Sequence, residues 1–169
     1  MDEIEKGLKE FFDYWFRGFM QGVETLDEPS RQIILHECGK ACAQSYTVQI
    51  FREIAQKSEN LDSFLQNLSQ RGSGSRYERI GSNTIRATYN SCGCDLVRLG
   101  LVKSPTLCDC SAANLCENLE QSLGISASAA IDTSILRGGT HCVLIVTLGE
   151  EIVNGRPAAS TDGGSCLLK

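Results

Sequence analysis

What this chain lacks narrows its chemistry first. Only two histidines, His36 and His141, occur in 169 residues, leaving few bases for Ser-His-Asp or Cys-His catalysis. Lys and Arg number 16 against 21 Asp and Glu, a net charge of -5, and they are scattered singly. Without a basic stripe there is no electrostatic footprint for nucleic acid, which is excluded as a partner. No apolar run approaches membrane-spanning length, and Met1-Asp2-Glu3-Ile4-Glu5 is acidic where a secretory leader is basic. The expectation is a cytoplasmic protein with no membrane partner. No phosphate loop is present either: Gly72-Ser73-Gly74 lacks the Lys-Ser/Thr ending and the strand-turn-helix setting, so no nucleotide cofactor is expected. Cys166-Leu167-Leu168-Lys169 has the spacing of a prenylation box but ends in Lys, with nothing polybasic upstream, and is read as chance.

Cysteine, by contrast, is plentiful. There are nine, an odd number, so complete internal pairing is impossible. A chain of this length buries a core without staples, and the thiols are read as reduced and free for metal binding or reactivity.

Helical periodicity dominates the first half. Ile4, Leu8, Phe11, Phe12, Trp15, Phe16, Phe19 and Val23 recur at three and four, giving an amphipathic helix whose aromatic face is expected to form core or to wall a ligand cavity. Asp27-Glu28-Pro29 starts a second helix bearing Cys38 and Cys42, with a bend expected near Ser45. Asn60 caps a segment from Leu61 to Ser69, which Gly72-Ser73-Gly74-Ser75 ends. Strand patterns follow. Tyr77–Ile80 and Thr84–Tyr89 flank Gly81-Ser82-Asn83 as a hairpin, and a second hairpin joins Ala127–Leu136 to His141–Leu148. Between them, Ser111 is expected to cap a helix ending at Gly124.

The fold class expected is α+β, with N-terminal helices packed on an antiparallel sheet of β-β-α-β-β order. It forms one domain over 1–150, helical over 1–70 and sheet-bearing over 75–150, followed by a tail over 151–169.

The strongest chemical signal is a doubled Cys-x-Cys, Cys92-Gly93-Cys94 and Cys108-Asp109-Cys110. In extended backbone each pair points one way, so two pairs facing each other make a four-sulfur pocket for zinc or another thiophilic metal. Cys142, after a Gly-Gly turn, is a fifth candidate ligand. Cys110, just ahead of the helix expected at Ser111, would feel its positive end and have a lowered pKa, making it the preferred nucleophile. Glu117 and Glu120 share a helical face, and Glu120 is the better candidate for general base. Cys38 and Cys42, one turn apart, chelate together or are buried as core. His36 lies on another side of that helix, and His141 reads as an exposed turn residue.

Cys92-Gly93-Cys94-Asp95-Leu96-Val97-Arg98, Cys108-Asp109-Cys110-Ser111, Leu119-Glu120 and Ser134-Ile135-Leu136-Arg137-Gly138-Gly139-Thr140-His141-Cys142, with the Glu37–Ala43 stretch, resemble the L-2-amino-thiazoline-4-carboxylic acid hydrolase-like family. The chain is also distantly similar to 4-vinyl-reductase-type small-molecule-binding domains. The resemblance implies a helix-covered α+β sheet, a cysteine-rich site suited to metal, a small-molecule ligand, and hydrolytic opening of a cysteine-derived thiazoline ring. Ala112-Ala113-Asn114 departs from the bulkier residues that commonly follow Cys-x-Cys-Ser in such chains.

Two functional readings follow. In one, a metal held by Cys92, Cys94, Cys108, Cys110 or Cys142 generates a nucleophilic water, or Cys110 attacks the C=N carbon. In the other, the domain is a non-enzymatic metal- or ligand-binding or sensing module with a Cys-coordinated metal. Incidental thiols are the bland third reading. Oligomeric state is open at this stage, a homodimer included.

Overall fold

The computed structural model describes residues 3–72, 74–149, 152–153 and 156–157. Local chemistry sets most element boundaries. The first helix, α1 (Glu3–Thr25), follows the aromatic periodicity. α2 (Glu28–Cys42) starts where the Asp27 carboxylate accepts the Ser30 N–H at 3.1 Å, with Pro29 in its first turn. The bend near Ser45 is a π turn, Ala43–Thr47, in which Ser45 Oγ donates to the Cys42 carbonyl at 2.6 Å. α3 (Val48–Gln56) continues from it. α4 (Leu61–Arg71) opens on a capping box in which Asn60 Oδ1 accepts the Ser63 N–H at 2.9 Å.

The first hairpin is β1 (Ser75–Arg79) and β2 (Thr84–Tyr89), as its turn residues predict. A short α5 (Asp95–Arg98) and a 3-10 turn (Pro105–Leu107) lead to the central helix, α6 (Cys108–Leu123), closed by Gly124 at φ 70°. β3 (Ala127–Thr133) pairs with β4 (Cys142–Leu148), and β2 pairs with β4 on its other side. All pairs are antiparallel, in the order β1-β2-β4-β3. Ile152–Val153 (β5) and Arg156–Pro157 (β6) form a separate two-stranded pair; the remainder of the expected tail, Cys166 included, lies outside the described residues.

Three expectations are corrected. Ser111 does not cap the central helix, because Ser104 accepts the Thr106 N–H and starts a 3-10 turn that runs directly into α6 three residues earlier. The strand expected over Ala127–Leu136 stops at Thr133, where the register shifts and a second 3-10 turn, Ile135–Arg137, begins. The aromatic face of α1 is not core throughout: Phe11, Phe12, Tyr14 and Trp15 are exposed, and among the described side chains of this helix only Met20 and Val23 are buried.

Two apolar clusters result. The larger fills the space between one sheet face (Ile85, Ala87, Leu144, Val146) and α3, α4 and α6 (Phe51, Phe64, Leu115, Leu119). The smaller joins Met20, Val23, Leu35, Val102 and Leu107, with Cys94 and Cys110 packed against it.

Candidate functional site

The thiols are organised by one close crossing. Gly39 of α2 lies on α6, where a Cβ would meet the Cys110 carbonyl oxygen and come within 2.8 Å of Ala113 Cβ. Only glycine permits that approach. It brings the second half of α2, with Cys38 and Cys42, beside the first turn of α6.

Because α6 already begins at Cys108, its two cysteines are not an extended pair. Two residues apart on a helix they point to different sides, so the expected single four-sulfur pocket is replaced by two groupings. Cys110 has Cys42, Cys94 and Cys38 within electrostatic reach, and more weakly Cys108. Cys108 has Cys142 and Cys92 near it, and its Sγ donates to Ser134 Oγ at 3.3 Å. Cys142 Sγ accepts the Ile135 N–H at 3.5 Å. Beside them Arg137 pairs with Asp109 at 2.6 Å. Among the described residues, no three His, Cys, Asp or Glu side chains are gathered closely enough to hold an ion.

The electrostatics reverse the expectation for Cys110. Burial pushes its thiol up from 9.0 to about 12, and the negative charge its neighbours Cys42 and Cys94 would carry adds to this. The helix end does not compensate, because the thiol is packed against the smaller apolar cluster. Burial also raises Cys42, against an opposing hydrogen bond from Asn114. Cys94 is raised by burial as well, but the N–H groups of Val97 and Leu96 pull its thiol the other way.

Glu120 lies elsewhere. Its Oε1 accepts the Ala127 N–H at 2.8 Å, at the end of α6 that meets β3. Ten residues of helix from Cys110 amount to about 15 Å along the axis. Glu117 is buried rather than solvated, and its carboxylate accepts from Gln44 Nε2 at 2.9 Å. A polar ladder beside it, from Asn118 through Asn114 toward the Gly39 carbonyl, escaped the sequence reading. The signal was there: Asn114, Glu117 and Asn118 form a polar stripe at helical spacing among buried apolar residues. His36 Nε2 is buried without a partner, which no local pattern foretold.

Beside the smaller cluster a groove of about 410 Å³ runs between α1 and the segment 100–104. Phe16, Met20, Leu101 and Val102 give it an apolar floor; Asp13, Arg17, Glu24 and Lys103 supply charge at its walls. Ser104 Oγ donates to the Glu24 carboxylate across it.

No protein-family description and no curated protein matches the chain. Solved structures do. A trafficking protein particle complex subunit 3 from Naegleria fowleri, covalently bound to palmitic acid, is 10% identical with a TM-score of 0.51, over 86% of this chain and 97% of that one. An H-NOX protein from S. oneidensis in the Fe(II)NO ligation state is 16% identical with a TM-score of 0.48, over 80% and 72%. The first likeness is one of fold: helices covering an antiparallel sheet. No helix among the described residues is long and apolar enough to cross a membrane.

Proposed function

We propose that this chain is a small-molecule-binding domain whose ligand occupies the groove between α1 and the 100–104 segment, above the thiol-rimmed smaller cluster. The observation that carries the reading is the groove itself, with an apolar floor continuous with Met20 and Val102 and charged groups on its walls. Its volume falls in the usual range of small-ligand clefts. An apolar body with a polar end suits it, and palmitic acid, borne by the protein of similar fold, is a ligand of that kind.

Binding is favoured over ring hydrolysis. With its thiol near 12, Cys110 is protonated at neutral pH and offers little nucleophilic thiolate. Glu120 is occupied with the Ala127 N–H, distant from the sulfurs. A thiophilic ion such as zinc is the second reading: the two N–H groups directed at Cys94 oppose the burial that raises its thiol, and would support its sulfur once a metal displaced the proton. Cys42, Cys94 and Cys110 would hold it after side-chain rotation, losing their protons to it.

Fluorescence titration with 1-anilinonaphthalene-8-sulfonate, an apolar anion, tests the first reading. Saturable binding is expected, weakened about tenfold by Leu101→Glu and unaffected by Leu8→Glu on the far side of α1. Equal binding in Leu101→Glu and the parent would sink it. Cadmium titration followed by thiolate-to-metal absorption tests the second, which fails if Cys94→Ser and Cys110→Ser leave the absorption unchanged.

A further inference from the structure

Cys94, Cys110 and Cys116 belong to or pack against the apolar clusters, but Cys108 and Cys142 do not. Both are half-buried, and both border the short 3-10 turn that joins β3 to β4. Cys108 Sγ donates to Ser134 Oγ at 3.3 Å, and Cys142 Sγ accepts the Ile135 N–H at 3.5 Å. Ser134 and Ile135 are adjacent, so a path of two hydrogen bonds and one serine side chain links the sulfurs. Among the thiols acting on Cys108, Cys142 comes first, ahead of Cys92.

The elements explain this placement. Side chains alternate along β4, so Cys142 shares the covered sheet face with Leu144 and Val146. Cys108 opens α6, the helix that packs on that face. The turn is held against this helix end twice, by Cys108 on Ser134 and by the Asp109–Arg137 ion pair at 2.6 Å.

We propose that Cys108 and Cys142 are a redox site, oxidised by hydrogen peroxide to a disulfide and restored by a dithiol. Cys108 attacks first. Its sulfur takes one peroxide oxygen as the O–O bond breaks, and the leaving hydroxide departs with the thiol proton as water. Cys142 then gives up its proton and attacks the sulfenic sulfur; the S–S bond forms, the S–O bond breaks, and a second water leaves. Two thiols lose two electrons, and one peroxide becomes two waters.

Two groups suit Cys108 to the attack. Burial raises its thiol, but the Ser134 hydroxyl and the Arg137 guanidinium pull it back toward thiolate. Ser134 Oγ accepts the Arg137 N–H at 3.2 Å and keeps its own proton to give to the sulfur. Cys110, two residues on, is held to about 12 by burial. Sulfur makes weak hydrogen bonds, so turning both side chains toward one another gives up little. The disulfide then ties the first turn of α6 directly to β4, in place of the Ser134 contact.

Peptide mapping of the full chain after hydrogen peroxide and iodoacetamide tests this, together with a count of free thiols. Two thiols per chain should be lost, the link found between Cys108 and Cys142, and both thiols recovered with dithiothreitol. Cys142→Ser should halt the reaction at Cys108, where dimedone traps the sulfenic acid. Cys108→Ser should abolish the link and the trapping, and Cys110→Ser should change neither. No link in the parent overturns the proposal, as does a link from Cys108 to Cys92 or Cys166, or one between two copies of the chain. A dimedone adduct on Cys142 in Cys108→Ser, with none on Cys108 in Cys142→Ser, overturns Cys108 as the attacking thiol.

Discussion

The two apolar clusters are assembled by different means. The larger one is made of regular elements: alternating sheet residues such as Ile85, Ala87, Leu144 and Val146 meet helical residues such as Phe64, Leu68, Leu115 and Leu119. The smaller one takes Met20 and Val23 from the end of α1, Leu35 from α2, and Val102 and Leu107 from connecting segments, and carries thiols on its rim. Regular elements satisfy their own backbone and can be packed on all sides. Connecting segments leave grooves and place reactive groups. Stability is therefore expected to reside in the first cluster and ligand chemistry at the second, although α6 runs through both.

The largest expected effect tests that division directly. Phe64 is 1% exposed in the larger cluster, and Phe64→Ala should cost about 3–5 kcal/mol in urea unfolding. Leu35, 0% exposed in the smaller one, should cost about 2 kcal/mol on truncation to Ala, at the low end for its type because neighbouring loops can close on the void. Equal losses would erase the distinction. Next comes the crossing. Gly39→Ala forces a methyl against Ala113 and the Cys110 carbonyl, and should cost about 1–3 kcal/mol while exposing Cys110 to alkylation. A variant as stable as the parent, with Cys110 still protected, would show that the helices slide apart freely.

Features written within a few residues were legible beforehand. Asp27 and Asn60 as caps, Gly124 as a stop and the Gly81-Ser82-Asn83 hairpin each depend on neighbours in sequence. The grouping of thiols was not. It depends on where α2 crosses α6, a contact between Gly39 and residues about seventy positions away, and no spacing encodes it. The helix start failed for a local reason of its own: Ser104 and Pro105 were the true initiator, and Ser111 stood further along the same helix. Periodicity in α1 identified the apolar face correctly but is silent about what covers it.

A smaller effect separates the thiols themselves. The proton on Cys110 is held to about 12 in the fold against 9.0 in the open chain. Its contribution to stability is thus complete below pH 9 and is lost as pH rises from there toward 12. Cys110→Ala should flatten the alkaline fall in stability, followed by circular dichroism. At pH 8, peptide mapping after iodoacetamide should find exposed Cys38 and Cys42 alkylated well before Cys110. Labelling of Cys110 first would restore it as a nucleophile and weaken the case for binding alone.

The smallest effect belongs to Glu120, at the end of α6 that serves the larger cluster. Burial raises its carboxyl above the ordinary 4.5, against the Ala127 N–H, which favours the charge. The fold therefore holds this proton more tightly than the open chain does. The group contributes most below pH 4.5, and that contribution is lost as pH rises through the folded value. Glu120→Gln keeps an oxygen for the Ala127 N–H and carries no charge. Its unfolding free energy in urea should match the parent at pH 4 and exceed it slightly at pH 7, by about 0.5 kcal/mol or less. A variant less stable at pH 7 would mean that the ionised carboxylate is needed where it stands. Glu120 would then act through its charge, as the thiol-rimmed region is expected to, and the boundary between the two clusters would have to be drawn inside α6.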